Sequence, residues 1–381
     1  MNHSFDIIVV GAGLSGATIA EHAAREGAKV LVVEKRDHIG GNVFDYTDEE
    51  SGIRVSKYGA HLWHTNDEEV MNYMTRFGPW QRWDHKVVTE VAGKHVPIPV
   101  NITTVNTLCG THIVNESEMA DWMRHHAIPC DAPKNSEEVA LSRVGDTLYN
   151  ALFKPYTIKQ WAKSPTELEP SVLQRIPVRN NFDDRYFTDR FQALPVHGYT
   201  AIVAEMLNHA NITVRCNTDW FDLSGTNTSV PLVFTGPIDA YFKHRTDLPL
   251  LEYRSIHFEW HKERNSGYFQ PNSVVNYAGS ETPFTRCVEY KHFLHQKSDW
   301  TIYAKEIPTD EGEPYYPVPT ERNRALYERY AKLTEGLDRV HFIGRLANYK
   351  YFNMDQAVRN AMDYYYAKIR PQLLTPSSAS E

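Results

Sequence analysis

Cysteine is scarce in this chain of 381 residues: Cys109, Cys130, Cys216 and Cys287 are the only four, with no CxxC pair and no zinc-ligand spacing. That excludes a disulfide-built scaffold and a structural zinc site, and it suits free thiols in a reducing compartment. Long hydrophobic runs are also missing, and the N-terminus enters a strand-like stretch without a signal-peptide pattern, so the expectation is a cytoplasmic protein with no membrane partner. Basic charge falls short of acidic, 40 Lys and Arg against 48 Asp and Glu for a net −8. No arm or helix collects the excess of Lys and Arg that nucleic-acid binding requires. Repeats and low-complexity segments are absent apart from a small polar tail, 375–381, which is expected to fray. His61 and His64 stand three apart but lack a third ligand, so no metal site is expected. The length suffices for two or three domains with a large core.

What is present begins at once. The apolar run 6–10 opens into Gly11-Ala12-Gly13-Leu14-Ser15-Gly16, followed by a helical pattern to Glu26 and a second apolar run, 29–33, ending at Glu34. Strand, glycine turn, helix, strand and acid stand in the order of a dinucleotide-binding βαβ unit. Gly11 permits the tight turn, Gly13 lets the backbone approach a pyrophosphate, and Gly16 lets helix and strand pack closely. The helix N-terminus offers its free N–H groups to the phosphates. Glu34, 23 residues after Gly11, is placed to accept from an adenosine ribose, and an acid there disfavours NADP. The further glycine pair Gly40-Gly41 provides a second close backbone approach, which the longer FAD needs and a nicotinamide dinucleotide does not. Ser15 belongs to this turn, so no Ser–His–Asp arrangement can be placed.

Pieces of the same domain return twice. The first return carries a helix over 200–208 and apolar runs at 212–216 and 232–234. The second is His341-Phe342-Ile343-Gly344-Arg345, followed by a helix over about 354–369 capped by Asn353 or Asp355. Between them, 86–91 and 95–99 read as a β-hairpin turning at Ala92-Gly93-Lys94. Residues 101–175 carry helical signals, one helix starting at Ser136 and another apolar helical run over 144–152. Residues 250–305 alternate as an antiparallel sheet placed to roof the cofactor. The fold class expected is α/β: a discontinuous Rossmann-like FAD-binding domain (1–80, 190–240, 318–381), with an inserted helical domain (101–175, mobile near 161–176) and an inserted antiparallel β-sheet domain (81–100, 176–189, 241–317).

The inserts accumulate arginines beside prolines or aromatics, paired tyrosines and loop tryptophans. Arg175, Arg254 and Arg286, or Tyr186, Tyr316 and Tyr351, are each equally at home as surface ion pairs or satisfied core phenols. Trp161, at a helix end before Ser164-Pro165, is as readily a core residue. Together they supply what a diphosphate needs, charge-assisted bonds plus neutral donors.

The blocks EKRDHIGGN (34–42), KYGAHLWHTN (57–66), YTIKQW (156–161), RIPVR (175–179), YFTDR (186–190), TGPIDAY (235–241), EYRS (252–255), EPYYPV (313–318) and GRLANYKYFNMDQ (344–356) stand in one order along the chain. In them the chain resembles the bacterial UDP-galactopyranose mutase family over nearly its whole length. The resemblance implies a homodimer acting on UDP-galactose in the service of a cell-wall or surface polysaccharide. It also implies bound FAD, active when reduced, whose N5 serves as covalent nucleophile at the anomeric carbon with no net redox change. It implies that Arg175 and Arg286 hold the diphosphate with Tyr186, Tyr316 and Tyr351, that Tyr156 stacks on uracil, and that Trp161 rides a loop closing over the nucleotide. His64 joins Arg175 and Arg286 as a catalytic candidate, and Arg254 and Asn353 complete the substrate set. The cofactor set is Gly11, Gly13, Leu14, Ser15, Gly16, Glu34, Lys35, Gly41, Asn42, His61, Leu62, Gly344, Arg345, Met354 and Asp355. Two positions depart from the family pattern: Asn353 replaces the common Asp, and His85 stands where a smaller polar residue is common. The same chemistry on UDP-N-acetylgalactosamine or a dTDP-6-deoxy sugar is one alternative. An amine-oxidase-like flavin oxidoreductase is another, and a flavin-binding protein without catalysis is a third.

Overall fold

The computed structural model describes residues 5–223 and 230–374; the tail 375–381 lies outside the described residues. Five parallel strands form the nucleotide-binding sheet, in spatial order Ile212–Arg215, Val30–Val33, Ile7–Val10, Leu232–Phe234 and Val340–Phe342. Because successive side chains in a strand point to opposite faces, one strand feeds two cores. Ile7 and Val9 enter a cluster with the helices Leu14–Arg25, Tyr199–Leu207 and Met354–Tyr364. Ile8 and Val10 pack against Phe234, Tyr241, Phe242, Tyr330 and Phe342. The strand Val30–Val33 is buried at all four positions, which is why it reads as an unbroken apolar run. The helix Leu14–Arg25 is small-residue rich and buried from Leu14 to Ala24, sandwiched between sheet and outer helices.

The insert over 101–175 is helical: Ile102–Cys109, Glu116–His126, Ser136–Leu148, a π-helical turn Tyr149–Phe153, Lys154–Trp161 and Ser171–Gln174. Asn101, Asn115 and Asn135 each cap a helix by accepting a backbone N–H three residues on. The apolar run over 144–152 is not one continuous helix. Gly145 breaks it at φ +72°, because a Cβ there would stand 2.2 Å from the His126 carbonyl.

A seven-stranded sheet forms the second insert, in the order Tyr316–Pro317, Tyr253–Arg264, Trp300–Thr309, Arg286–Glu289, Val274–Tyr277, Val87–Val91 and Lys94–Ile98. It is not wholly antiparallel: Val274–Tyr277 pairs in parallel with Val87–Val91. The chain travels through the helical insert and back through the nucleotide-binding sheet between these two strands, and so long a connection permits parallel pairing. The hairpin turn is Ala92-Gly93, both at positive φ, and Lys94 already belongs to the returning strand. One buried cluster runs through helices and sheet together, joining Ile102, Met119, Val139 and Leu148 to Val96, Val274, Val288 and Ile302. A further three-stranded sheet, Trp63–Thr65, Phe191–Pro195 and Trp80–Arg82, bridges the segments.

Candidate active site

A cleft of about 1120 Å³ opens along the C-terminal ends of the parallel strands. It exceeds the roughly 300–1,000 Å³ of an ordinary small-molecule pocket, as a dinucleotide requires. Gly11, Gly13, Leu14, Ser15 and Gly16 line one part, Glu34, Lys35, Gly41 and Asn42 another, and His61, Gly344, Arg345, Asn353 and Met354 a third. Leu62 is not among the lining residues and packs against the core; Asp355 is not either, and its Oδ1 is buried without a partner. The glycines are sterically required: a Cβ on Gly16 would sit 2.0 Å from the Gly11 carbonyl oxygen, and one on Gly41 would sit 2.9 Å from the Gly13 Cα. The two glycine turns therefore stand back to back, tied by the Gly40 N–H donating to Ala12 O at 2.9 Å.

Glu34 is 6% exposed and accepts from the backbone N–H groups of Ala12 at 2.9 Å and Arg36 at 3.0 Å. This fixes the carboxylate while leaving lone pairs for a ribose. Lys35 and Arg36 both ion-pair with Glu313, and Arg36 also donates to Asn42 Oδ1 and lies over the Tyr58 ring. Arg36 and Glu313 were not singled out from sequence, because nothing local connects positions so far apart. The helix Leu14–Arg25 has no acidic residue in its first turn, and the N-terminus of Met354–Tyr364 meets the same cleft. Two positive helix ends and a ribose acceptor fit a flavin dinucleotide.

Beside this cleft the three parts of the chain meet in a cluster of guanidiniums and phenols. Arg175 donates to the Tyr351 hydroxyl at 3.2 Å and lies 4.2 Å from its ring centroid. Tyr351 stacks on Tyr316 at 5.4 Å, and Arg345 approaches both rings. Trp161 ends its helix 5% exposed, its ring 6.1 Å from Tyr351 and 6.4 Å from Tyr316, so it is a core residue and a wall of the cluster at once. Arg286 donates through Nε to Glu306 Oε2 at 2.5 Å, across neighbouring strands. Glu306 is 1% exposed and keeps Oε1 unpaired; it too was not singled out, since it depends on strand register. Tyr156 and Tyr186 complete the group: burial pushes the Tyr156 phenol up to about 12 although Arg286 opposes it. Burial likewise raises the Tyr351 phenol, but Arg175 and Arg345 outweigh it and hold this hydroxyl below the ordinary range. Positive charge concentrated in an acidic chain marks an anion site.

Histidines border the cluster. His64 donates from Nδ1 to Asp189 Oδ2 at 2.9 Å and stacks on Phe187. At His85 the Trp83 indole N–H donates to Nδ1 at 3.4 Å, so in the neutral ring Nε2 carries the proton. Burial, with Arg286 and His64 nearby, pushes His85 down to about 3, and burial with Arg345 pushes His61 to about 4. His85 and His61 are therefore neutral rings suited to hydrogen bonding, and among the described residues no group of His, Cys, Asp and Glu is arranged to hold a metal. Arg254 lines the cleft and bonds to Gln160 O at 3.1 Å and to the Asp310 carboxylate, securing the end of the helix Lys154–Trp161. Asn353 caps its helix at the cleft rather than joining the arginine cluster; its N–H donates to Gln356 Oε1.

Residues 151–351 match the family described as UDP-galactopyranose mutase, and residues 9–77 match the NAD(P)-binding Rossmann-like domain. A probable UDP-galactopyranose mutase of Klebsiella pneumoniae is 34% identical over 94% of this chain and 93% of its own length. A dTDP-fucopyranose mutase of Escherichia coli is 33% identical over 94% of this chain and 96% of its own. A crystal structure of reduced UDP-galactopyranose mutase superposes with a TM-score of 0.73 over 98% of each chain at 16% identity, which is a likeness of fold. On these matches the chain belongs to the UDP-galactopyranose mutase family, flavin-dependent isomerases that interconvert pyranose and furanose forms of a sugar nucleotide.

Proposed function

We propose that this chain interconverts UDP-galactopyranose and UDP-galactofuranose, with reduced FAD in the cleft. The observation that carries the reading is the cluster of Arg175, Arg286, Tyr316 and Tyr351 beside a dinucleotide cleft. Bound and reduced, the flavin supplies at N5 a nucleophile for the anomeric carbon, and its electrons are retained. The chain's own task is to hold UDP as it departs, because recombination must outrun its diffusion away. Arg175 and Arg286 bind the diphosphate with charge-assisted bonds, and Tyr186, Tyr316 and Tyr351 add phenol donors. Tyr156 takes the uracil, and Trp161 with the segment 161–176 covers the nucleotide. His64, oriented by Asp189, and His85, through its Nε2–H, offer hydrogen bonds to the sugar hydroxyls. The N-terminus of Met354–Tyr364 favours negative charge at its end of the cleft; Asn353 brings no carboxylate there, while Asp355 in the first turn offsets part of the positive end. The proposal extends to a cytoplasmic homodimer serving a surface polysaccharide.

The Escherichia coli relative supports a second reading, the same ring contraction on a dTDP-6-deoxy sugar. Dithionite-reduced protein incubated with UDP-galactofuranose, UDP-N-acetylgalactofuranosamine and dTDP-fucofuranose, with products separated by anion exchange, decides between them. Preferential formation of UDP-galactopyranose is expected. Preference for either other sugar replaces the substrate, and failure on all three overturns the reading.

A further inference from the structure

Lys159 sits in the helix Lys154–Trp161, partly buried, with its ammonium in a cage of four carbonyls and one hydroxyl, and the carboxylates of Glu281 in the same loop and of Glu90 add negative charge nearby. The carbonyls of Tyr277, Gly279, Thr282 and Phe284 lie 2.8, 2.6, 3.1 and 3.0 Å from Nζ, and Thr282 Oγ1 lies at 3.3 Å. An ammonium has three N–H bonds, so five oxygens exceed what it can satisfy one to one. The arrangement is that of oxygens turned toward a point charge, as carbonyls turn toward a dehydrated potassium ion. Four of the five distances are longer than the about 2.0–2.6 Å of magnesium or calcium sites. The cage is one loop, running from the end of the strand Val274–Tyr277 to the start of Arg286–Glu289. Its base is closed by Tyr277 N–H donating to Thr285 O at 2.8 Å, and Thr285 N–H donates to Glu306 O at 2.9 Å. Arg286 follows directly. On the helix, Tyr156 precedes Lys159 by three residues and so shares its face. The single ammonium thus joins the element carrying Tyr156 and Trp161 to the loop that delivers Arg286.

We propose that Lys159 is a positioning residue: its ammonium is a built-in monovalent cation that organises the 277–284 loop and fixes Arg286 and Tyr156 relative to each other. The roles of those two residues rest on the proposed function; the cage does not. Without the side chain, the loop keeps its converging carbonyls and becomes a site for a free potassium or ammonium ion. Lys291 provides the control. Its Nζ is held by the carbonyls of Asn265, Ser266 and Gly267 at 2.9, 3.1 and 3.1 Å, in a turn that continues the far end of the strand Tyr253–Arg264.

The test compares wild type, Lys159→Ala, Lys159→Met and Lys291→Ala in reduced form, in choline chloride and in potassium or ammonium chloride at equal ionic strength. KM for UDP-galactose, kcat and Tm are read in each. Lys159→Ala is expected to raise KM on the order of 10- to 100-fold in choline, since small misplacements of binding groups cost that much. Potassium or ammonium restores part of both KM and Tm for Lys159→Ala and leaves wild type unmoved. Lys159→Met, whose stem fills the cage mouth, keeps the defect without cation rescue. Lys291→Ala lowers Tm and leaves KM unchanged. A Lys159→Ala KM within twofold of wild type in choline, or equal values in potassium and choline, overturns the proposal. If Lys159→Ala does not fold in choline, refolding in potassium supports the cage, and no folding in either salt with a normal KM for Lys159→Met overturns it. If wild type turns over no UDP sugar, the functional reading falls while the Tm response to cations still decides the cage.

Discussion

Replacing Arg286 by alanine removes the partner of a buried acid and, on the proposed function, a contact to the diphosphate, and the two separate experimentally. Glu306 is 1% exposed, and its second oxygen has no partner. Breaking a fully buried ion pair costs about 3–5 kcal/mol. The Arg286 side chain is 30% exposed, so water screens the pair and the cost falls to about 2 kcal/mol. For a chain of this size that corresponds to a Tm loss of about 2–3 °C. Loss of a charge-assisted bond to UDP costs about 1.5–3 kcal/mol, a weakening of roughly 10- to 100-fold in Kd. The double variant Arg286→Ala with Glu306→Gln discards the stranded charge. It is expected to regain most of the lost Tm and only the part of the lost affinity due to repulsion of the diphosphate by the stranded Glu306, read by differential scanning fluorimetry and isothermal titration of UDP. Full recovery of UDP affinity in the double variant, or an unchanged Kd in the single one, refutes the assignment of Arg286 to the diphosphate.

Gly16→Ala places a Cβ 2.0 Å from the Gly11 carbonyl, so the purified variant is expected to carry little flavin, measured by its absorbance relative to protein. Gly145→Ala meets the His126 carbonyl at 2.2 Å and a φ of +72°, and about 2 kcal/mol or more of stability should be lost, read as a lower denaturant midpoint. His85 titrates near 3 when folded and near 6.5 when unfolded, so below 6.5 the unfolded chain binds the extra proton and stability falls with pH. Between pH 7 and pH 5 this contributes a loss of about 2 kcal/mol, and His85→Asn should flatten that part of the pH dependence of the denaturant midpoint. An unchanged slope would show that His85 is not buried neutral.

The parts of the fold legible from sequence are those whose cause is local. The turn Gly11–Gly16 is written in spacing, and the strand Val30–Val33 in four consecutive apolar residues buried on both faces. The helix start expected at Ser136 is local too, where Asn135 caps it by accepting from the Glu138 N–H. What escaped depends on distant partners. Trp63–Thr65, Trp80–Arg82 and Phe191–Pro195 are short strands drawn from remote segments, with too few residues for alternation to show. Gly145 looks like a tolerated glycine in a helix until His126 packs against it. The parallel pairing of Val274–Tyr277 follows from the chain's path, not from its residues. In the site, arginines and tyrosines can be named by chemistry, and the structure brings Arg175, Arg286, Tyr156, Tyr316 and Tyr351 into one neighbourhood. Glu306 emerges only when Arg286–Glu289 and Trp300–Thr309 are set in register. Arg254 also lines the cleft, and its bonds to Gln160 and Asp310, like that of Arg286 to Glu306, become visible only in the folded chain.

The central claim is that the bound flavin's electrons are used and kept. The most direct test is anaerobic: reduce the protein once, remove the reductant, add excess UDP-galactofuranose, and follow the flavin spectrum while counting product. The account predicts many equivalents of UDP-galactopyranose per protein with the flavin still reduced at the end. One equivalent of product per flavin reoxidised, or turnover by the oxidised protein, would contradict it.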